Sequence, residues 1–389
     1  MVQEHENIVG FDSAILMHPT VWKASGHVGN FIDVMVEDTI TKERFRYDTL
    51  SDVQREQNLS PNGNPLSEPK NFNLMFSTSL GSTEESSMKV YLRPETAQGI
   101  YVNFKNVQQT SRLKLPFGIA QVGKAFRNEL LFKNFIFRTC EFEQMEMQFF
   151  VHPQEDTKWF EHWKQLRMQY YKDIGIRESH LRFHEHRPDE LAHYAKEACD
   201  VFYHFPFGWN EIEGIHNRSN FDLTQHSEFS KKDLSYQPEE GEKFIPCIIE
   251  TSAGLTRTVL LVLCDAYRVE EIEGSARTVL QLHPRLAPYT IAVLPLVKKD
   301  GLAERAKQLF LSLQKEYSCA FDVNTSIGKR YRRQDEIGTP LCLTYDYDSL
   351  TDSSVTIRQR DTLKQERVAI HKINQYISDY VKTYGVDNA

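Results

Sequence analysis

The stretch Phe126-Arg127-Asn128-Glu129, followed by Phe137-Arg138 and by Glu141-Phe142-Glu143-Gln144-Met145-Glu146, brings three kinds of chemistry close together in the chain. A guanidinium recognises phosphate, carboxylates hold amines or Mg2+, and an aromatic face stacks on a base. If Arg127 and Glu129 lie on a strand, their i, i+2 spacing puts both side chains on one sheet face. A loop and a returning strand then carry Arg138 and Phe142 back toward them. The same residues also fit a charged hairpin closed by a surface ion pair, and such pairs are common and mostly inconsequential. Spacing alone leaves the two readings level.

A second cluster is Gly328-Lys329-Arg330-Tyr331-Arg332-Arg333-Gln334-Asp335. Its four cations around a tyrosine suit phosphate contacts, which position a nucleic acid without reading its bases; composition alone favours a solvated helical face. Arg358, Arg360, Lys364 and Arg367 could extend the basic surface. His184 and His186 are separated by one residue rather than by the helical i, i+4 step, and no third or fourth ligand stands near them in the sequence, so a tetrahedral metal site is not expected there.

These residues need elements to position them. Thr139–Val151 alternates in part, through Phe142, Met145, Met147 and Phe149, as a strand does. Asp156–Ile174 repeats Trp159, Trp163, Leu166 and Tyr170 at steps of four, three and four, a helical face meant for packing. Ile245–Cys264 reads as a strand, a turn at Gly254 and an apolar helix. Ser51–Lys70 carries Pro61, Gly63, Pro65 and Pro69 and reads as an exposed loop or small insertion. His283-Pro-Arg-Leu-Ala-Pro288 has the look of a domain boundary. Beyond it, strands at Thr290–Val297, Ala320–Val323, Leu341–Tyr345 and Val355–Arg360 interleave with a helix at Leu302–Tyr317, which predicts a small α/β domain.

The 389 residues suggest two or three domains, and 40% hydrophobic with 12% aromatic content supplies substantial cores. A net charge of −8 argues against a protein that coats nucleic acid generically, although a local basic patch can still bind it. The six cysteines are scattered with no C-x-x-C pair, which points to free thiols, a reducing compartment and no structural zinc. The polar, acidic start has neither an apolar signal core nor an Arg-rich transit pattern, so a cytoplasmic location is expected.

The Phe126–Glu129 and Phe137–Phe142 pattern resembles motif 2 of the class II aminoacyl-tRNA synthetases. Leu92-Arg-Pro-Glu-Thr-Ala-Gln-Gly99, Pro116-Phe-Gly-Ile-Ala-Gln121, Met145-Glu-Met-Gln148, Trp209-Asn-Glu-Ile-Glu-Gly214 with Arg218, Phe221 and Asp222, and Glu250-Thr-Ser-Ala-Gly-Leu-Thr-Arg257 resemble, in order, the glycyl-tRNA synthetases of the single-chain homodimeric type. The resemblance implies an α/β fold in two parts. Residues 1–282 would be a catalytic domain of α+β type on an antiparallel sheet, with an insertion at about 44–70 and a helical insertion at about 152–200. Residues 283–389 would be a mixed-sheet α/β anticodon-binding domain.

It implies ATP and Mg2+, glycine and tRNA(Gly) as partners, a homodimer and no membrane. Arg127, Glu129 and Arg257 would be catalytic. ATP would be held by these three with Arg138, Phe142, Glu211 and Glu250, the last two carrying Mg2+. Glycine would meet Glu95, Gln121, Glu146, Arg218, Glu250 and Ser252, and tRNA would meet Lys329, Arg330, Arg332 and Arg333.

Several departures accompany the resemblance. The family usually has a longer helix, belonging to the dimer interface, before the counterpart of Gly10–Pro19, so an N-terminally shortened chain with a weakened dimer is expected. Cys140 stands where Arg is frequent, and Thr256 where Asp or Gly is usual. Ser60-Pro-Asn-Gly-Asn64 lacks the metal-binding cysteines of some members. The alternatives are a catalytically impaired or non-catalytic synthetase-like nucleic-acid-binding protein, such as a polymerase accessory subunit, a synthetase for proline or threonine, and a fragment that folds without turning over.

Overall fold

A computed structural model describes residues 1–83, 87–130, 132, 134–272 and 274–385. The chain forms two compact units. One comprises Met1–Arg167, Phe183–Tyr203 and Trp209–Leu260; the other comprises Met168–Arg182, His204–Gly208 and the chain from Leu261.

The first unit is built on a seven-stranded sheet. Its strands are β1 (Ile8–Gly10), β2 (Phe117–Phe126), β3 (Glu141–Val151), β4 (Leu181–Glu185), β5 (Glu197–Phe205), β6 (Gly208–Asn217) and β7 (Cys247–Gly254), in the spatial order β1-β2-β3-β7-β6-β5-β4. β1 runs parallel to β2, while β2, β3, β7 and β6 are mutually antiparallel neighbours. The expected α+β class with an antiparallel sheet is the one observed.

Register decides what meets what. Gln121 lies opposite Glu146, Glu146 opposite Ser252, and Ser252 opposite Gly214. In the next row Gln148 faces Glu250, and Glu250 faces His216. Residues directly opposite share a sheet face, so one face of four strands collects these polar groups. Along β3 the phase differs from the sequence reading: Phe142 sits with Gln144, Glu146 and Gln148, whereas Met147 and Phe149 are buried on the other face.

Helix α1 (Pro19–Ala24), α2 (His27–Asn30), α3 (Ala97–Thr110), α4 (Asp156–Asp173), α5 (Phe221–Ser230) and α6 (Leu255–Ala266) accompany this sheet. The helix α3 buries Ala97, Ile100, Tyr101 and Phe104 against Phe117, Ile119, Phe150 and Ile248, with Phe104 and Phe150 rings 4.6 Å apart. It covers one end of the polar face and leaves the other end open. Gly99 is required in α3, because a Cβ there would meet Ser13 Oγ at 2.0 Å. On the opposite face, Trp159 and Trp163 of α4 lie 5.0 and 5.1 Å from Phe149, so the tryptophan stripe is a packing surface.

Two stretches differ from their sequence readings. Residues 44–70 are not a bare loop: they contain the helix Asp52–Gln57 and bury Leu50 and Leu66 with Val36. The fully buried Asp38 carboxylate organises this insertion by accepting from Ser60 Oγ at 2.7 Å, Asn64 Nδ2 at 3.0 Å and the Ile40 and Thr41 N–H groups at 2.9 Å. In 152–200 only the first part is helical. Cys199, Val201, Tyr203 and Phe205 alternate into the core, and the stretch joins the sheet as β4 and β5.

The second unit carries a mixed sheet of β8 (Ile291–Pro295), β9 (Cys319–Phe321), β10 (Leu341–Tyr345), β11 (Ser354–Gln359) and β12 (Gln365–Ala369), ordered β9-β8-β10-β11-β12. β8 is parallel to both its neighbours, and the β10-β11 and β11-β12 pairs are antiparallel. Its helices are α7 (Leu302–Leu313), α8 (Ile327–Ile337) and α9 (Ile373–Thr383). Leu302, Ala306, Leu309 and Leu313 of α7 and Ile373 and Ile377 of α9 pack with Ile291, Val293, Leu341, Leu343, Val355 and Ile357. Ile327 and Tyr331 of α8 pack with Ala292, Leu294 and Cys342 of the strands. The last four residues of the expected 283–389 domain lie outside the described ones. No helix among the described residues is long and apolar enough to cross a membrane.

Candidate active site

The open end of the polar face is a cleft of about 200 Å³, lined among others by Glu95, Arg127, Glu129, Arg138, Phe142, Glu146, Glu211, Glu250, Ser252 and Arg257. Sequence-distant motifs therefore converge on one cavity.

One part of the cleft is cationic. Arg127 and Glu129 are not on a strand as expected: β2 ends at Phe126, and both residues stand just beyond it. The neck of the loop from 127 to 140 is closed by the Arg127 N–H donating to the Cys140 carbonyl at 2.9 Å, and by the Cys140 thiol donating to the Glu129 carbonyl at 3.6 Å. The Arg127 guanidinium donates to Pro94 O at 3.2 Å and lies 5.5 Å from both the Phe31 and Phe142 ring centroids. Arg138 approaches Glu129 at 3.7 Å. Arg257, at the start of α6, stacks on Phe137 at 4.3 Å and donates to the Glu211 carbonyl at 2.8 Å, with the Glu211 carboxylate 3.7 Å away. Thr256 accepts the Glu143 N–H at 3.1 Å, which ties α6 to β3.

The other part is acidic. Glu146 is buried and accepts from Thr96 N at 2.7 Å, from Thr96 Oγ1, and from Ser252 Oγ at 2.7 Å. Burial, together with the Glu250 and Glu95 charges, still pushes its carboxyl up to about 7. Burial would raise Glu95 and Glu250 as well. The His27 ring, followed by Arg218, holds Glu95 well below the usual carboxylate range; Arg218 and the His216 hydrogen bond hold Glu250 down at about 2. The result is a pocket of ionised carboxylates beside one that is readily protonated, an arrangement that draws in a small cation.

Three expected assignments change. Gln121 shares the sheet face of Glu146 but does not line the cleft, and its amide is taken up by accepting from Ser13 Oγ at 3.0 Å and donating to Asp12 at 2.9 Å. Arg218 lies behind the lining: it is buried, pairs with Asp222 at 2.7 Å and Glu250 at 3.1 Å, and stacks 3.8 Å from the Tyr194 ring. Glu250 already accepts from Arg218, from His216 at 3.0 Å and from Gln148 at 2.9 Å. Both its oxygens are engaged, so it presents no free face to a divalent cation. Glu211 is half exposed and keeps its carboxylate toward the cleft.

Sequence reasoning missed His27, Thr96, Gln98, Tyr194, His216 and His226. Thr96 and Gln98 stood inside the Leu92–Gly99 motif, one and three residues after Glu95 at the start of α3, and that nearness was the available signal. The others come from distant elements and had none.

The basic helix α8 also divides. Arg330 is buried, donating to Pro295 O at 2.6 Å and Leu296 O at 3.1 Å, and is withdrawn from any phosphate. Lys329 and Arg333 are exposed and, with the half-buried Arg332, line a shallow depression. Arg358 and Arg360, expected to extend the basic face, are buried, Arg358 against Asp335 at 2.8 Å and Arg360 against Asp361 at 2.7 Å.

Comparison with known proteins bears on this geometry. Residues 77–266 match the tRNA synthetase class II core domain (G, H, P, S and T), and residues 290–380 match the anticodon binding domain. The glycine–tRNA ligase of Treponema denticola is 54% identical over 99% of this chain and 87% of its own. That of Borreliella burgdorferi is 54% identical over 100% of this chain and 88% of its own. The crystal structure of a prolyl-tRNA synthetase from Cryptosporidium parvum superposes with a TM-score of 0.64 at 13% identity, covering 98% of this chain and 66% of that one, and so shares the fold. With a class II core and about half its residues identical over nearly the whole length, the chain belongs to the glycine–tRNA ligase family.

Proposed function

We propose that this chain activates glycine with ATP to glycyl-adenylate and transfers the glycyl group to the 3′ end of tRNA(Gly). The observation that carries the reading is the juxtaposition, in one cleft, of Arg127, Arg138 and Arg257 with the part-buried carboxylate Glu95 and the buried carboxylate Glu146. A triphosphate fits the first group and a bare ammonium the second.

In adenylation a glycine carboxylate oxygen attacks the α-phosphorus while the bond to pyrophosphate breaks. Negative charge grows on phosphate oxygens, and fixed guanidinium groups stabilise it without reorganising. Arg127 serves the α-phosphate and the attacking carboxylate, Arg257 the γ-phosphate end, and Phe142 the adenine face, with Glu129 and Arg138 fixing the nucleotide beside it. Glu95, Glu146 and Ser252 surround the ammonium. Holding both reactants in line supplies much of the rate, and no protein nucleophile is required. Glu211, whose half-exposed carboxylate lines the cleft, would hold Mg2+, which when bound neutralises phosphate charge.

The wider reading follows. Residues 1–282 act as the catalytic part and 283–389 as the anticodon-binding part, in a cytoplasmic homodimer. The six free thiols suit a reducing compartment, and the exposed Leu16, Leu80 and Met88, on a three-stranded sheet of Leu16–Met17, Met88–Leu92 and Ser77–Leu80 in the first unit, suit burial against a second copy. Glycine-dependent ATP–pyrophosphate exchange tests the central claim: exchange with glycine and not with alanine, proline or threonine is expected. Tight tRNA binding without any exchange would replace it with the binding-protein reading. The mass in solution tests the dimer.

A further inference from the structure

Each oxygen of Glu95 has its own holder. Oε1 accepts from Gln98 Nε2 at 2.9 Å, and Gln98 Oε1 accepts in turn from His226 Nε2 at 2.7 Å. Oε2 faces His27 Nε2 at 3.4 Å, while His27 Nδ1 shares a hydrogen bond with Ser25 Oγ at 2.8 Å. None of His27, Gln98 and His226 lines the cleft. They touch Glu95, or one another, from behind it.

The surroundings of each holder limit its movement. The His27 ring is met edge-on by Trp22 at 5.6 Å and by Phe31 at 5.4 Å, and Trp22 is fully buried. His27 follows Gly26, whose φ of 81° is left-handed and open to glycine at little cost. Phe31, the residue that closes on His27, is also within 5.5 Å of the Arg127 guanidinium. On the other side, burial keeps His226 neutral, with a single N–H, and that N–H is given to the Gln98 carbonyl. The amide of Gln98 is thereby oriented so that its NH2 group points at Glu95 and, at 3.3 Å, at Asp222. Reversing the amide would set two carbonyl-type oxygens against each other.

We propose that His27, and the pair His226 and Gln98, are positioning residues that clamp the Glu95 carboxylate for glycine selection. The proposal rests on the glycine-activating reading of the cleft and deepens it. A substrate without a side chain offers nothing to fill a pocket, so selectivity depends on groups standing where a larger amino acid would have to go. Merely accommodating one extra methylene discriminates by only roughly 10- to 200-fold. A carboxylate free to swing would leave room for the alanine methyl and would grip the ammonium less well. A carboxylate fixed at both oxygens does neither.

The test uses the whole chain in ATP–pyrophosphate exchange. His27→Phe keeps a ring between Trp22 and Phe31 and removes the nitrogen facing Glu95. It is expected to raise the glycine KM about 10- to 100-fold, the range for losing a hydrogen bond to a charged group, with the ATP KM unchanged. The rate ratio of alanine to glycine should rise with it. Gln98→Met should act in the same direction, and His27→Gln, which keeps an N–H donor, should recover part of the loss. A His27→Phe protein with unchanged melting temperature and unchanged glycine KM overturns the proposal. So does a parallel rise in the glycine and ATP KM values, which would signal general distortion. The imidazole 15N resonances of His27, compared between wild type and Glu95→Gln, give a readout that needs no activity. If they move while the wild type shows no glycine-dependent exchange, the clamp stands and the functional reading falls. If they do not move, the clamp falls whatever the activity.

Discussion

At the scale of single residues, charge placement governs the chemistry. Arg257 reaches the cleft from the first turn of α6, stacked on Phe137 and anchored to the Glu211 carbonyl. Replacing it with alanine removes a fixed cation from the leaving end of the triphosphate. Exchange activity is expected to fall by about 10²- to 10³-fold, with tRNA affinity nearly unchanged in a filter-binding assay; equal loss of both in a folded protein would refute the assignment. Glu146 supplies a pH signature. Its carboxyl is pushed up to about 7, whereas gripping an ammonium requires the ionised form. Below neutrality, glycine must therefore displace a proton from Glu146 to bind. The apparent KM for glycine is expected to rise as pH falls below about 7, approaching about tenfold per pH unit. The same titration in Glu146→Gln should be flat.

At the scale of elements, buried ion pairs lock helices to strands. In the second unit the fully buried Asp335 of α8 accepts from Arg277 at 2.9 Å and from Arg358 of β11 at 2.8 and 3.0 Å. Asp335→Ala leaves the buried Arg358 without its carboxylate and the buried Arg277 with Glu270 alone. A loss of about 3–5 kcal/mol is expected in urea denaturation followed by fluorescence. Adding Arg358→Met to that variant should recover part of the loss, because it removes the stranded charge. The same helix explains why a run of cations misleads. Its 3.6-residue period sends Arg330 and Gln334 inward and Lys329 and Arg333 outward. Arg330 is therefore a structural residue, and its exposed neighbours are the candidates for phosphate.

At the scale of the whole molecule, a chain with a net charge of −8 repels nucleic acid except where a local surface is positive. Binding of tRNA should weaken steeply with salt, because each neutralised phosphate releases counterions. The double variant Lys329→Ala, Arg333→Ala is expected to reduce the slope of log affinity against log salt by about one for each phosphate that no longer has its cation. An unchanged slope would exclude this helix from the tRNA surface. Exchange activity in the same variant should match the wild type, since both residues lie outside the cleft.

Local patterns in the amino-acid order were sufficient for much of the fold. The strand ending at Gly254 and the helix after it, the tryptophan stripe of α4 and the Leu341–Tyr345 strand all follow from periodicity, which depends only on near neighbours along the chain. Arg127, Glu129, Arg138 and Phe142 drew attention through residue types that suit phosphate, amine and base chemistry, whereas Arg257, Glu95, Glu146 and Ser252 were singled out only by their places in motifs that resemble the family's. Tertiary structure alone decided which of the polar residues face the cleft. Gln121 and Glu146 are partners across a strand pair, yet only Glu146 reaches the cavity, because Asp12 and Ser13 take up the Gln121 amide. The holders of Glu95 come from α2, α3 and α5, far apart in the chain. No local pattern relates them, because what unites them is burial around one carboxylate, and burial is a property of the packed chain.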